Sequence, residues 1–468
     1  MMPHNSAMER YHRQIILPEI GIEGQKKLGD STVFVQAQSV ESCALLLFYL
    51  AAAGMGTLYC DFAEKQGLAS LIRQIGAFNS GVKIQAVQPG CENLPGDTGV
   101  GVIQGSLQYV AQPAVDCSGK CIPLILAANR GWQGWLQFIK RPDDLRAILF
   151  KRGPQPPRGY NMPDDGTESV FSSNLLGALV AVEVVKILLS LENSAAYGLE
   201  FDLSTMRFER YKGSKACPAS IAHPCITSGT PGLFPGLITT ADTQQLAQSR
   251  VAVVGSGGLG SPALYTLAKA GVGTIALVDY DQVDISNLNR QILHSETRLG
   301  LPKVDSAEVF LRQLNPAVNL VKHNTCLTEE NAREIISTFD LVVDCVDNLK
   351  TRYLVNEACA LLNKPLVEAG VNGFEGIATT IMAAHSACYQ CLFPARPSLD
   401  YNSKYGPQGI LGPVAGVLGT IQGCEACKCL TKKGNPLLNS ILAYDGMEAQ
   451  FEIFRTEKDP NCPICAKR

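Results

Sequence analysis

At 468 residues the chain is long enough for more than one domain, each with its own buried core. Its formal net charge of −3 gives no basic footprint, so composition offers no case for nucleic-acid binding. Seventeen cysteines are many, but disulfide frameworks belong mainly to short secreted chains, so paired spacings here point first to metal.

The start, MMPHNSAMERYHRQ, is polar and lacks the apolar core of a signal peptide. From Ser31, STVFVQAQSVESCALLLFYLAAAGMGTLYCDF reads as strand, helix and strand, and reaches Asp61. LIRQIGAFNSGVKI (from Leu71) and VDCSGK (from Val115) follow. The most apolar helical run, 174–189, carries Glu183 and Lys186 and is expected to be too short to cross a bilayer. These features predict a soluble, cytoplasmic protein without a membrane or nucleic-acid partner. Residues 221–241, with HPCITSGTPGLFPG, are rich in Pro, Gly, Ser and Thr and read as a linker between domains at 1–220 and 242–468.

The second domain opens on VAVVGSGGLGSPALYTLAKAGVGTIALVDYDQVDISNLNRQILH, residues 251–294. Gly255, Gly257 and Gly260 form a G-x-G-x-x-G turn between a buried strand and a helix, where bare N–H groups can meet phosphate. Asp279 ends the next apolar strand, placed to accept hydrogen bonds from a ribose. Alone, that fingerprint reads as an NAD site. Asn287, Arg290 and Lys303 change the reading, because a triphosphate needs cations and amide donors. The pattern points to ATP.

Cys388-Tyr-Gln-Cys391 and Cys462-Pro-Ile-Cys465 are two C-x-x-C pairs far apart in sequence. Each knuckle brings two thiolates to one ion, and two knuckles complete a tetrahedron, which predicts a closed structural zinc site. The alternatives are four ordinary thiols or a redox pair, though neither pair follows a strand in a thioredoxin-like unit. Cys424, Cys427 and Cys429 lie on a run with buried-helix periodicity and read as core, and His294 reads as a packed histidine.

The chain repeats itself. AGMGTLYCDF matches AGVGTIALVDYD, and Asp61 matches Asp279, but Gly255, Gly257, Gly258 and Gly260 are answered by Gln36, Gln38, Ser39 and Glu41. Side chains are expected to crowd the phosphate position, with Glu41 adding a like charge. VDCSGK matches VDCVDN, so Asp347 faces Gly119; Cys217-Pro-Ala-Ser220 has lost half its knuckle. The stretch between Asp61 and Leu71 is too short to hold counterparts of Asn287, Arg290 and Lys303. The first copy is therefore expected to bind neither ATP nor zinc. Alternating apolar strands and amphipathic helices predict α/β architecture: two Rossmann-like domains in tandem, each a mostly parallel sheet flanked by helices.

GSGGLG, DYDQVDISNLNRQ, Lys303, DCVDN and the two C-x-x-C pairs together resemble the ThiF/MoeB/HesA family, whose adenylating domain is shared with ubiquitin-activating enzymes. ERYHRQIILPEIGIEGQKKL, from Glu9, is similar to that family's N-terminal segment. The resemblance implies ATP-dependent adenylyl transfer to the C-terminal carboxylate of a small ubiquitin-like or sulfur-carrier protein ending Gly-Gly. It implies that Asp279 holds the ribose, that Asn287, Arg290, Gln291 and Lys303 bind and orient the triphosphate, and that Asp347 binds Mg²⁺. Family homodimers complete each site with an arginine from the partner's N-terminal segment. The only copy here, Arg10 to Gln14, lies in the degenerate half, so the resemblance implies a pseudo-dimer in which Arg13 reaches the other half's ATP and a monomer suffices. Many members carry a cysteine before the GVLG helix; here Tyr405 stands near that position and 396–412 contains no cysteine. Adenylation without an enzyme thioester is implied, with sulfur or another nucleophile coming from a separate protein. Rival readings are adenylation of a ribosomal peptide or a modified tRNA base, a dinucleotide oxidoreductase, and a non-catalytic scaffold.

Overall fold

The computed structural model describes residues 8–87, 96–105, 109–110, 122–140, 170–191, 197–212, 240–394 and 408–466. They form the same unit twice. The first contains β1 (Thr32–Ser39), β2 (Thr57–Glu64), β3 (Lys83–Ala86), β4 (Val100–Gly105), β5 (Leu124–Arg130), β6 (Gln133–Ile139), β7 (Tyr197–Asp202) and β8 (Arg207–Lys212). The second contains β9 (Arg250–Val254), β10 (Thr274–Val278), β11 (Asn319–His323), β12 (Leu341–Asp344), β13 (Leu366–Asn372), β14 (Glu375–Ile381), β15 (Ser440–Asp445) and β16 (Gln450–Arg455).

Each sheet has eight strands, ordered β3-β2-β1-β4-β5-β6-β7-β8 and β11-β10-β9-β12-β13-β14-β15-β16. The first five in each row pair in parallel and the rest antiparallel. Parallel strands covered on both faces need continuous apolar runs, and Val33–Val35 and Val251–Val254 are buried throughout. The sequence repeat is thus a structural repeat, as expected. The 221–241 linker lies outside the described residues except at its end, where a helix opens at Thr240.

The helices that matter for the site are α1 (His12–Ile15), α2 (Gly21–Gly29), α3 (Val40–Ala53), α4 (Leu68–Phe78), α5 (Val170–Leu189), α6 (Thr240–Gln248), α7 (Gly260–Lys269), α8 (Lys303–Leu314), α9 (Ala332–Ser337), α10 (Leu349–Leu362), α11 (Tyr389–Leu392) and α12 (Gly412–Thr431). α5 and α12 are corresponding helices of the two halves and pack on one another, so Val33, Leu175, Val253 and Val417 belong to one apolar cluster. α5 runs to 20 residues, so its length does not bar it from a bilayer as the shorter run 174–189 suggested. Its apolar surface is instead covered by protein, since a helix hydrophobic all round must be buried on every side.

Two buried lysines cross this interface. Lys186 on α5 pairs with Glu183 at 2.9 Å and donates to the carbonyl of Gly446 in the second half at 3.0 Å. Its counterpart Lys428 on α12 pairs with Glu425 and donates to Leu203 of the first half at 3.1 Å. Close approach is enforced as well: a Cβ on Gly416 would lie 2.4 Å from the Tyr49 ring of α3. Removing one partner of a buried ion pair strands the other. Lys428→Met should therefore lower stability by about 3 kcal/mol in urea unfolding, and adding Glu425→Gln should recover part of that loss.

Candidate functional site

In an open α/β sheet the ligand crevice lies beyond the carboxyl ends of the two strands where the order reverses. In the second half those strands are β9 and β12. The loops leaving them, 255–259 and 345–348, lie against each other there. Gly255 has φ +93°, and a Cβ on it would meet the Cys345 carbonyl oxygen at 2.8 Å. A Cβ on Gly260 would sit 2.0 Å from the Gly255 carbonyl oxygen. The fold itself demands these two glycines. Gly257 and Gly258 differ: their nearest neighbours would be Gln291 at 3.4 Å and Arg290 at 3.5 Å, ordinary contact distances. Packing does not require those two to be bare, so their bareness fits a ligand that must approach the backbone. Gln291, whose Nε2 lies beside Gly257, has its Oε1 buried without a hydrogen-bond partner.

The other predicted residues are distributed around this turn. Asp279 follows β10 and accepts from the Ser256 N–H at 2.7 Å, the Ser256 hydroxyl at 2.8 Å and the Asp281 N–H at 2.9 Å. It shapes the turn, and Ser256 is a contributor that the glycine pattern did not single out. Asn287 Oδ1 accepts from the Asp284 N–H at 3.2 Å and caps its own short turn. Lys303, at the start of α8, is ion-paired with Asp281 at 2.8 Å. Arg290 donates to the Ser286 carbonyl at 2.7 Å and to Asn289 Oδ1 at 2.8 Å.

Charge links Arg290 to both Arg13 and Asp347. Burial first, and then the like charge of Arg13, lower the Arg290 guanidinium to about 10 against the opposing charges of Asp347 and Asp284. Asp347 is exposed in the loop after β12 and also acts on Tyr280, whose phenol is raised mainly by Asp281. Arg13 arrives from the other half: its guanidinium donates to the Gln408 carbonyl at 2.9 Å, and its own carbonyl accepts from Ile410 at 2.8 Å. Arg290 is thus within electrostatic reach of Arg13 from the first half and of Asp347 from the second.

The corresponding crevice of the first half is filled. β1 continues to Ser39, straight through the positions of the glycine turn, and Ser39 caps α3 directly. Gln36 donates to Asp61, the counterpart of Asp279, at 2.9 Å, and Gln104 donates to the Ser42 carbonyl at 2.6 Å. Glu41 corrects one expectation: it is exposed and stands 4.0 Å from Lys269 of the second half, so it places no charge in the crevice. Gly119, the Cys217 remnant and Tyr405 lie outside the described residues.

Cys388, Cys391, Cys462 and Cys465 converge, with all four Sγ atoms within 4.8 Å of one another. Three separations are 3.9, 3.6 and 3.4 Å (388–391, 388–462, 391–465). A zinc tetrahedron with Zn–S near 2.3 Å has edges of about 3.8 Å, so the quartet fits that ion. His385 is exposed and outside it. Cys424 and Cys427 are buried and Cys429 is half-buried on α12, as core residues. His294 is buried, with Nδ1 2.9 Å from Ser306 Oγ and Nε2 3.1 Å from the Ser256 carbonyl. It props the glycine turn from behind.

The fold is that of a paired Rossmann-like α/β protein, in which the glycine turn of the second half is answered in the first by a strand that runs on to Ser39. Residues 233–464, the second half of the chain, match the ThiF family. Relatives named adenylyltransferase and sulfurtransferase MOCS3 are 41% identical over 224 residues in Anopheles gambiae (48% of this chain, 51% of that protein) and 43% identical over 223 residues in Drosophila sechellia (47% and 49%). That of Dictyostelium discoideum is 41% identical over 233 residues (49% and 55%). The chain spans about half the length of the curated relatives it matches. Among solved structures, E. coli MccB aligns over 48% of this chain and 68% of its own, at 22% identity and TM-score 0.45.

Burial lowers His294 from 6.5 to about 3, with the Lys303 charge adding to the effect. A histidine depressed in the folded state stabilises fully above its unfolded value, and that contribution is lost as pH falls from about 6.5 toward 3. Urea unfolding should show a loss approaching 1.4 kcal/mol per pH unit in that window, absent in His294→Asn. Metal analysis should find about one zinc per chain, lost in Cys462→Ser together with thermal stability.

Proposed function

We propose that this chain is an ATP-dependent adenylyltransferase that activates the C-terminal glycine carboxylate of a small ubiquitin-like or sulfur-carrier protein. The observation that carries the reading is that the first half delivers Arg13 to the Gln408 carbonyl of the second, within electrostatic reach of the Arg290 that lines a bare glycine turn. The like charges of the two guanidiniums act on one another there, which a polyphosphate would neutralise.

In this reading the amides around Gly257 and Gly258, at the start of α7, receive the phosphates, and Asp279 accepts from the ribose. Asn287, Arg290, Gln291 and Lys303 orient the triphosphate, with Lys303 exchanging Asp281 for phosphate oxygen. Asp347 would hold Mg²⁺, a hard cation that suits one carboxylate plus phosphate oxygens and shares the charge of the leaving group. A carboxylate oxygen of the carrier forms a bond to the α-phosphorus while the bond to the bridging oxygen breaks. Pyrophosphate leaves with that electron pair, and an acyl adenylate remains. No proton need move, so the work is positioning and charge stabilisation. The cysteine quartet would hold a structural zinc that ties the 462–465 knuckle to α11. The first half, its crevice filled, is inactive and serves as the partner subunit, so one chain suffices as a monomer. Sulfur or another nucleophile would come from a separate protein. The cytoplasm is the compartment we propose, because the described cysteines are unpaired thiols.

ATP–pyrophosphate exchange with Mg²⁺ and candidate Gly-Gly carriers tests this. Exchange should appear with one carrier and fall by about 10²-fold or more in Asp347→Ala and Arg13→Ala. Exchange with a peptide carboxylate but no carrier would give the substrate to a different class.

A further inference from the structure

Arg13 does not reach the second half alone. Three residues earlier, Arg10 is buried at 1% exposure, and its Nη1 donates to Glu296 Oε1 of the second half at 2.7 Å. Its Nη2 donates to the Phe78 carbonyl of the first half at 2.9 Å. The Ser80 N–H, also of the first half, donates to the same Glu296 oxygen at 3.3 Å. Tyr11 is fixed beside it: its hydroxyl accepts from Asn79 Nδ2 at 2.9 Å, and its ring lies where a Cβ on Gly54 would come within 2.6 Å. The base of the N-terminal segment is therefore clamped, and α1 carries Arg13 across from that clamp.

Glu296 belongs to the segment between β10 and α8, which also carries Asn287, Arg290 and Gln291 and has only a three-residue counterpart between β2 and α4 of the first half. The Arg10–Glu296 pair thus joins the element that presents Arg13 to the element that presents Arg290. The two guanidiniums repel, so their spacing has to be imposed by contacts elsewhere. A nearly buried ion pair with a second donor on the same oxygen is a firm constraint of that kind.

We propose that Arg10 and Glu296 are positioning residues: their cross-half ion pair sets the separation of Arg13 from Arg290 so that both meet the polyphosphate of one nucleotide. The proposal rests on the ATP reading above. Neither residue needs to touch the nucleotide, and both act through Arg13.

Calorimetric titration of the full chain with MgATP tests this without knowing the carrier. The wild-type chain should bind; no binding by it would overturn the ATP reading and this proposal with it. Arg13→Ala should weaken binding by about tenfold, the loss of one charged hydrogen bond. Glu296→Ala and Arg10→Ala should each do nearly the same, and either change made on top of Arg13→Ala should add less than about twofold. A purely structural role would not produce that non-additivity. An unchanged Kd in folded Glu296→Ala, or a loss of about a hundredfold in Glu296→Ala/Arg13→Ala, would show that the pair does not act through Arg13. Should Arg10→Ala fail to fold, Glu296→Ala and Arg10→Lys carry the same comparison, the lysine keeping the charge and recovering part of the affinity.

Discussion

The packing of α5 against α12 is the interaction on which the rest of the structure depends. Each helix is apolar on nearly its whole circumference, so neither half could bury its own helix alone. Each covers the other. The lysines at matching positions, Lys186 and Lys428, then donate to carbonyls of the opposite half, so separating the halves would cost each buried ion pair one of its hydrogen bonds. A half with a filled crevice can persist under such a constraint, because losing it would expose the core of the other.

The same constraint explains why the site is asymmetric. In the first half the strand β1 runs on where the second half turns, and Gln36 occupies the carboxylate that corresponds to Asp279. The long connection between β10 and α8 supplies the polar groups of the open crevice, and only three residues join β2 to α4. What the first half contributes instead is an N-terminal segment that crosses to the second. One half holds the turn and its cations, and the other sends Arg13 across toward them.

Much of this was legible in the sequence. The repeat, the parallel sheets, the glycine turn and the cysteine quartet all follow local or strictly spaced patterns, and their geometry agrees with the spacing. Contacts between distant segments were not legible. Nothing in E-R-Y-H-R-Q says that Arg10 meets a glutamate 286 positions away. Glu41 was expected in the crevice because alignment places it at Gly260, yet the strand-to-helix switch at Ser39 sends it outward toward Lys269. Asp279 was expected to accept from a ribose, and its bonds to Ser256 were not foreseen because they depend on how the turn folds back over β10. The helix at 170–189 extends beyond the apolar run that marked it, since Val170–Ser173 are helical through packing more than through composition.

The central claim is one nucleotide site per chain, in the second half and completed by the first. Equilibrium dialysis with radiolabelled ATP and Mg²⁺ measures it most directly. The account predicts saturation at one ATP per chain, lost in Gly257→Glu and retained in Asp61→Ala. Saturation at two per chain, or loss of binding in Asp61→Ala with binding kept in Gly257→Glu, would contradict it.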